Sequence, residues 1–162
     1  APSTLMCSRQ GEVKLIDFGI ARTRARRSET QPGVLKGVFG YMAPEVVRGS
    51  PFDHRADLFG LGALLYLATT GHAPFTGRSD FESLELVRAA RRVPPRQLRP
   101  ELPAALEQVM DGLLQVDPDQ RTPRARDVAA ALDALFAADP DFSAAGCARA
   151  VAAALAAGTV LR

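Results

Sequence analysis

Tryptophan and asparagine are absent from this 162-residue chain, and lysine occurs only as Lys14 and Lys36. Arginine therefore supplies nearly all the positive charge. Two cysteines, Cys7 and Cys147, are too few for a disulfide framework, and no Cys-x-x-Cys or His/Cys cluster offers a zinc site. His54 and His72 have no partner at ligand spacing. The longest apolar run, Leu58 to Thr70, falls short of the roughly 20 residues that a membrane-spanning helix needs. No N-terminal signal pattern is visible, since the first 20 residues pass from polar residues straight into strand-like alternation. A net charge of only +2 does not point to nucleic acid. A reduced, cytoplasmic chain without a membrane segment is the expectation. The first residue is Ala rather than Met, so processing or fragmentation is expected as well.

What is present suits one globular domain. Hydrophobic residues make up 47% and charged residues 23%, close to the soluble average. Near the start, Val13 and Leu15 alternate with Glu12 and Lys14 after a Gly11 turn, which predicts a β-hairpin from about Thr4 to Asp17. Residues 21–40 are rich in Arg, Ser, Thr, Gly and Pro and lack hydrophobic period, the mark of a functional loop or disorder. Beyond Ala43 the chain reads as helix. Asp53 is placed to N-cap an apolar, buried helix that ends at Thr70 before Gly71. Ser79 and Glu82 have capping-box spacing for a helix from Ser79 through Arg91. Pro94, Pro95 and Pro100 break the chain into an Arg-bearing loop, and Pro103 starts a helix to about Val116. Thr122-Pro123 opens another helix, with Val128, Leu132 and Leu135 at i, i+4 and i+7. Residues 143–157 form a last, Ala-dominated helix.

Asp17-Phe18-Gly19 ends the hairpin, and Ala43-Pro44-Glu45 follows the loop. Around them stand Gly11-Glu-Val-Lys-Leu-Ile-Asp-Phe-Gly-Ile-Ala-Arg22 and Gly40-Tyr-Met-Ala-Pro-Glu45. Then come Asp57-Leu-Phe-Gly-Leu-Gly62, Gly71-His-Ala-Pro-Phe75 and Val116-Asp-Pro-Asp-Gln-Arg121. In order and spacing this series resembles the C-terminal lobe of a Hanks-type protein kinase, most like the bacterial serine/threonine kinases. The resemblance covers residues 1–137, leaving 138–162 as an Ala-rich helical extension. It implies a mainly α fold, a kinase-like C-lobe with a short β-hairpin leading into Asp-Phe-Gly.

It also implies roles. Asp17 resembles the carboxylate that holds Mg²⁺ on the ATP phosphates, with Phe18 and Gly19 setting packing and hinge. Glu45 resembles a buried carboxylate paired with a late arginine, here Arg121. Asp57 resembles the aspartate that holds the catalytic-loop backbone; an aspartate favouring a helix N-terminus is the plainer reading. Gly37, Val38 and Tyr41 match the loop that receives the substrate. Thr23, Ser28 and Thr30 are candidate phosphosites, where phosphate pairing with arginine would order the loop. The protein substrate would meet this activation segment and the helix from Ser79 to Arg91.

The departures are equally specific. Counting back from Gly11, the catalytic aspartate of the family falls before residue 1. Thr4 stands where the second metal ligand is normally Asn, and a chain without asparagine has no register that restores it. Val38 replaces the usual threonine. His54-Arg-Ala-Asp57 imitates the His-Arg-Asp catalytic motif but follows Ala-Pro-Glu instead of preceding Asp-Phe-Gly. Neither Lys14 nor Lys36 fits the phosphate-anchoring position. The expectation is a piece of a serine/threonine kinase that uses ATP and Mg²⁺ when joined to its missing N-lobe, inactive by itself. The alternative is a non-catalytic pseudokinase module that binds a partner.

Overall fold

Ser8 and Gly11 close the turn between the first two strands. In the computed structural model, which describes residues 2–16, 39–137 and 143–156, the Gly11 N–H donates to the Ser8 carbonyl at 3.0 Å. Ser8 Oγ accepts from the main-chain N–H groups of Gln10 and Glu12. Gly11 takes φ +83°, a left-handed conformation that costs glycine little. The turn joins β1 (Leu5–Cys7) to β2 (Val13–Leu15) in an antiparallel ladder with Leu5 opposite Leu15 and Cys7 opposite Val13. Both strands are exposed.

By its own contacts the chain divides into two units, residues 31–135 and residues 1–30 with 136–162. The second of these holds the hairpin and α7 (Ala144–Ala156), whose first turn is closed by Ser143 Oγ accepting from the Gly146 N–H.

The larger unit is helical. A 3₁₀ turn (Phe39–Tyr41) precedes α1 (Pro44–Val47), and α2 (Arg55–Thr70) follows. Asp53 was expected as the N-cap of α2, but His54 holds that position with helical dihedrals. The Asp53 carboxylate instead accepts from both the Arg55 main-chain N–H and the Arg55 guanidinium, a local turn that starts the helix one residue later. Gly71, at φ +75°, ends it as expected.

Burial along α2 is periodic and not all-round. Phe59, Gly62, Ala63, Tyr66 and Thr70 form the buried line with Leu58 beside it, while Leu61, Leu64 and Leu65 are half-buried. The reason lies in the neighbours: α2 packs on α4 (Pro95–Leu98), α5 (Ala104–Leu113) and the 3₁₀ turn. A Cβ on Gly62 would come within 2.8 Å of Leu113 Cβ and 3.0 Å of Leu114 Cγ, so the missing side chain is what lets α2 and α5 meet.

Of the remaining helices, α3 (Asp80–Arg88) and α5 begin near their predicted starts and end early. In α3 Ser79 Oγ accepts from the Glu82 N–H, whereas the Glu82 carboxylate accepts from Arg78 and not from Ser79. The helix stops three residues before Arg91 because Ala90 turns left-handed at φ +45°. There the Arg91 N–H reaches the Leu86 carbonyl and the Ala90 N–H the Val87 carbonyl, a Schellman closure with alanine in the usual glycine place. Pro103 is the N-cap of α5 and not its first residue. That helix ends at Leu113, short of Val116, since the following loop must return to let the Thr122 N–H reach the Gly112 carbonyl. The helix α4 was not foreseen. Finally, α6 (Ala125–Phe136) buries Val128 and half-buries Leu132 and Leu135.

Two hydrophobic clusters stand among the described residues. Ala43, Phe59, Ala63, Phe75, Val87 and Leu114 form one, and Leu58, Leu113 and Val128 form the other.

Candidate functional site

Glu45 lies in the first turn of α1 and Arg121 directly follows a 3₁₀ turn (Pro118–Gln120). They meet as a fork: Arg121 Nη1 donates to Glu45 Oε1 at 2.8 Å and Nη2 to Oε2 at 3.0 Å. Arg121 Nη1 also donates to the Arg55 carbonyl, and Nε and Nη2 both donate to the Gln115 carbonyl. The five guanidinium N–H groups thus make five hydrogen bonds. The Arg121 side chain is 0% exposed and that of Glu45 7%. Arg121 Cζ lies 5.1 Å from the centroid of the Phe59 ring, which stacks on Phe75 at 5.5 Å. Burial alone would raise the Glu45 pKa, but the hydrogen bonds from Arg121 and from its own main-chain N–H, with the guanidinium charge, outweigh burial and hold it below the usual value.

Arg55 ties the same corner together. Its guanidinium bonds both Asp53 carboxylate oxygens, the Pro118 carbonyl at 3.0 Å and Asp119 Oδ1 at 2.7 Å. One arginine thereby fixes the turn that delivers Arg121, while its carbonyl accepts from Arg121 itself. The arrangement clamps Ala43-Pro44-Glu45 to α2 and to the loop after α5.

The other candidate residues are distributed as follows. Asp57 is in the first turn of α2 and exposed; its main-chain N–H donates to the His54 carbonyl, and its carboxylate has no hydrogen-bond partner among the described residues. Tyr41 packs against the Phe59–Phe75 cluster, and burial raises its pKa. Thr4 ends a 3₁₀ turn (Pro2–Thr4), and its carbonyl accepts from the Ile16 N–H at 2.8 Å, so it stands across the ladder from the residue before Asp17. Asp17, Phe18, Gly19, Thr23, Ser28, Thr30, Gly37 and Val38 lie outside the described residues. His54 and His72 are exposed, each within hydrogen-bond distance of a carbonyl, Pro123 and Thr70 respectively. Among the described residues no group of three or more His, Cys, Asp or Glu side chains could hold a metal ion.

Sequence reasoning missed Phe59 beneath the guanidinium, the Gln115 carbonyl and Arg55. The Asp-x-Arg spacing of Asp53 and Arg55 was the one local signal. It also missed Phe81, a 72% exposed phenylalanine on α3 beside the Glu85–Arg88 ion pair.

Residues 2–131 match the family model described as the protein kinase domain. The chain is 43% identical over 133 residues to the tyrosine-protein kinase MasK of Myxococcus xanthus, covering 82% of this chain and 21% of that protein. It is 45% identical over 78 residues to the serine/threonine-protein kinase PknL of Mycobacterium tuberculosis, covering 48% and 20%. It is 35% identical over 133 residues to PknB of Mycolicibacterium smegmatis, covering 81% and 21%. The chain thus spans about a fifth of the length of these curated relatives. Among solved structures, the twitchin kinase region of C. elegans superposes with a TM-score of 0.67 at 27% identity, over 82% of this chain and 23% of that one. With the Ala-Pro-Glu segment clamped to a late arginine and the match running through most of its length, the chain belongs to the protein kinase domain family.

Proposed function

We propose that these residues act as the C-lobe portion of a serine/threonine kinase that moves the γ-phosphoryl of ATP to a protein hydroxyl. The observation that carries this reading is the buried Glu45–Arg121 fork, which joins two residues 76 positions apart and ties the end of the activation segment to the helical core. In this reading residues 1–137 are the lobe and 138–162 an appended helical segment. Asp17 is the Mg²⁺ ligand, Phe18 and Gly19 its packing and hinge, and Thr4 a weak substitute second ligand. When bound, Mg²⁺ neutralises charge developing on the transferred phosphate. The described residues offer no carboxylate cluster for it, so no step of the transfer is assigned to them. Their work is positional: Glu45 and Arg121 tie the Ala43-Pro44-Glu45 segment to α2 and to the loop after α5.

Protein substrate meets that loop and the exposed face of α3, where Phe81 is the apolar anchor. Thr23, Ser28 and Thr30 are the candidate phosphosites. Both cysteines are free thiols, in keeping with a cytoplasmic setting. No helix among the described residues is long and apolar enough to cross a membrane. The second reading, a partner-binding pseudokinase module, is favoured by Thr4 and Val38.

The deciding experiment joins this chain to the N-lobe and catalytic loop of a bacterial kinase relative and assays radiolabelled ATP with serine, threonine and tyrosine peptides. Transfer to serine or threonine, abolished by Asp17→Ala, is the expected result. Nucleotide-independent partner binding with no transfer would replace it by the pseudokinase reading, and transfer to tyrosine alone would overturn the specificity.

A further inference from the structure

Residues 88–99 carry Arg88, Arg91, Arg92, Arg96 and Arg99 and no acidic residue. The structure sorts these five. Arg88 pairs with Glu85, Arg92 with Asp111, and Arg99 with Glu101, and the latter two also donate to the Ala90 and Thr69 carbonyls. Arg91 and Arg96 are exposed, and among the described residues neither guanidinium has an ion pair or a hydrogen bond. The backbone that presents them is pinned. Tyr66 Oη donates to the Val93 carbonyl at 2.8 Å, Pro95 is fully buried, and the Schellman closure at Ala90 fixes the start. Between the two uncommitted guanidiniums in sequence stand Val93, 46% exposed, and beyond them Leu98, 36% exposed. A groove of about 210 Å³ beside Arg91 is lined also by Arg92, Pro94, Glu107 and Asp111.

We propose that this segment docks an acidic stretch of a partner protein that carries one or two aliphatic side chains. The partner's carboxylates pair with Arg91 and Arg96, and its apolar groups cover Val93 and Leu98. Arginine forks match carboxylates in two-point geometry, and a rigid platform binds with less ordering cost than a mobile loop. The Asp111 charge is already met by Arg92, whereas Glu107 repels a carboxylate from the groove and confines the partner's acids to the outward arginines. Two uncommitted cations are too few for a membrane surface, which draws on clusters of about four to eight. A single-stranded nucleic acid would ask for aromatic stacking, and residues 88–99 contain no aromatic. The proposal does not depend on phosphoryl transfer.

The test uses the whole 162-residue chain and a fluorescein-labelled peptide, Gly-Glu-Leu-Glu-Glu-Val-Glu-Gly, followed by anisotropy. Saturable binding is expected, falling as salt rises and weakening about tenfold in Arg91→Glu/Arg96→Glu. The control Arg126→Glu, at an exposed position on α6, should bind as the parent does. Should the charge reversal lower the melting temperature, Arg91→Gln/Arg96→Gln carries the same comparison with a smaller loss. Unchanged affinity in the folded double variant overturns the proposal. So does equal binding of a peptide with Leu and Val replaced by Ser. Binding of phosphatidylserine vesicles or of an oligonucleotide, in place of the peptide and lost in the double variant, overturns it in favour of that ligand.

Discussion

A guanidinium removed from water is tolerated only when its charge and all its donors are met. Arg121 satisfies that condition through Glu45 and the carbonyls of Arg55 and Gln115. Arg121→Ala strands the Glu45 carboxylate in a dry site, and a loss of about 3–5 kcal/mol in urea unfolding is expected. The double variant Glu45→Gln/Arg121→Met should lose less, because no charge is left behind. The Glu45 pKa is lower in the folded chain than in the unfolded one. Its contribution is therefore full above the ordinary glutamate range and disappears as pH falls through the lowered folded value. Unfolding free energy measured against pH should show a shallower acid-side decline in Glu45→Gln than in the parent. A smaller residue makes a second prediction. Ala90 holds a left-handed conformation that costs an L side chain about 1–2 kcal/mol. After subtracting the packing of its methyl group, Ala90→Gly should stabilise by up to about 1 kcal/mol, read as a higher melting temperature.

Among the elements, α2 decides the most. Phe59 lies between Phe75 and the Arg121 guanidinium, so Phe59→Ala removes core volume and the support of the ion pair together. A cost of about 3–5 kcal/mol is expected from denaturant melts. Gly62→Ala tests the contact with α5: helix propensity favours the change, but the Cβ meets Leu113 and Leu114. Overpacking should win, for a net loss of about 1–2 kcal/mol. Much of this layout was legible in the sequence, since Gly71, Ser79 and the spacing of Val128, Leu132 and Leu135 act through short-range physics. The helix ends that were misplaced depend on distant partners. Leu113 ends α5 because Gln115 must turn its carbonyl to Arg121, and nothing near Gln115 says so. Likewise Ala90 gives no glycine signal for the end of α3. Leu64 reads as core by composition but is half-buried, because the line of Phe59, Ala63 and Tyr66 faces the packed neighbours.

At the scale of the whole molecule, the Glu45–Arg121 partnership was legible because Ala-Pro-Glu and the late arginine come in a fixed order with other motifs. Arg55 and Phe59 were not, because their roles exist only once α2, the 3₁₀ turn before Arg121 and the loop after α5 converge. Phosphoryl transfer depends on holding metal, phosphates and hydroxyl in one geometry. In the proposed reading these 162 residues contribute Asp17 and the clamped Ala-Pro-Glu segment, but not the lysine or glycine-rich loop that hold ATP. Part of such a site should not bind in proportion to its share of residues. Isothermal titration of the purified chain with ATP and excess Mg²⁺, beside Asp17→Ala, tests this most directly. No saturable binding tighter than about 1 mM is expected in either protein. Micromolar binding by the parent chain, lost in Asp17→Ala, would contradict the account by revealing a complete nucleotide site within these residues.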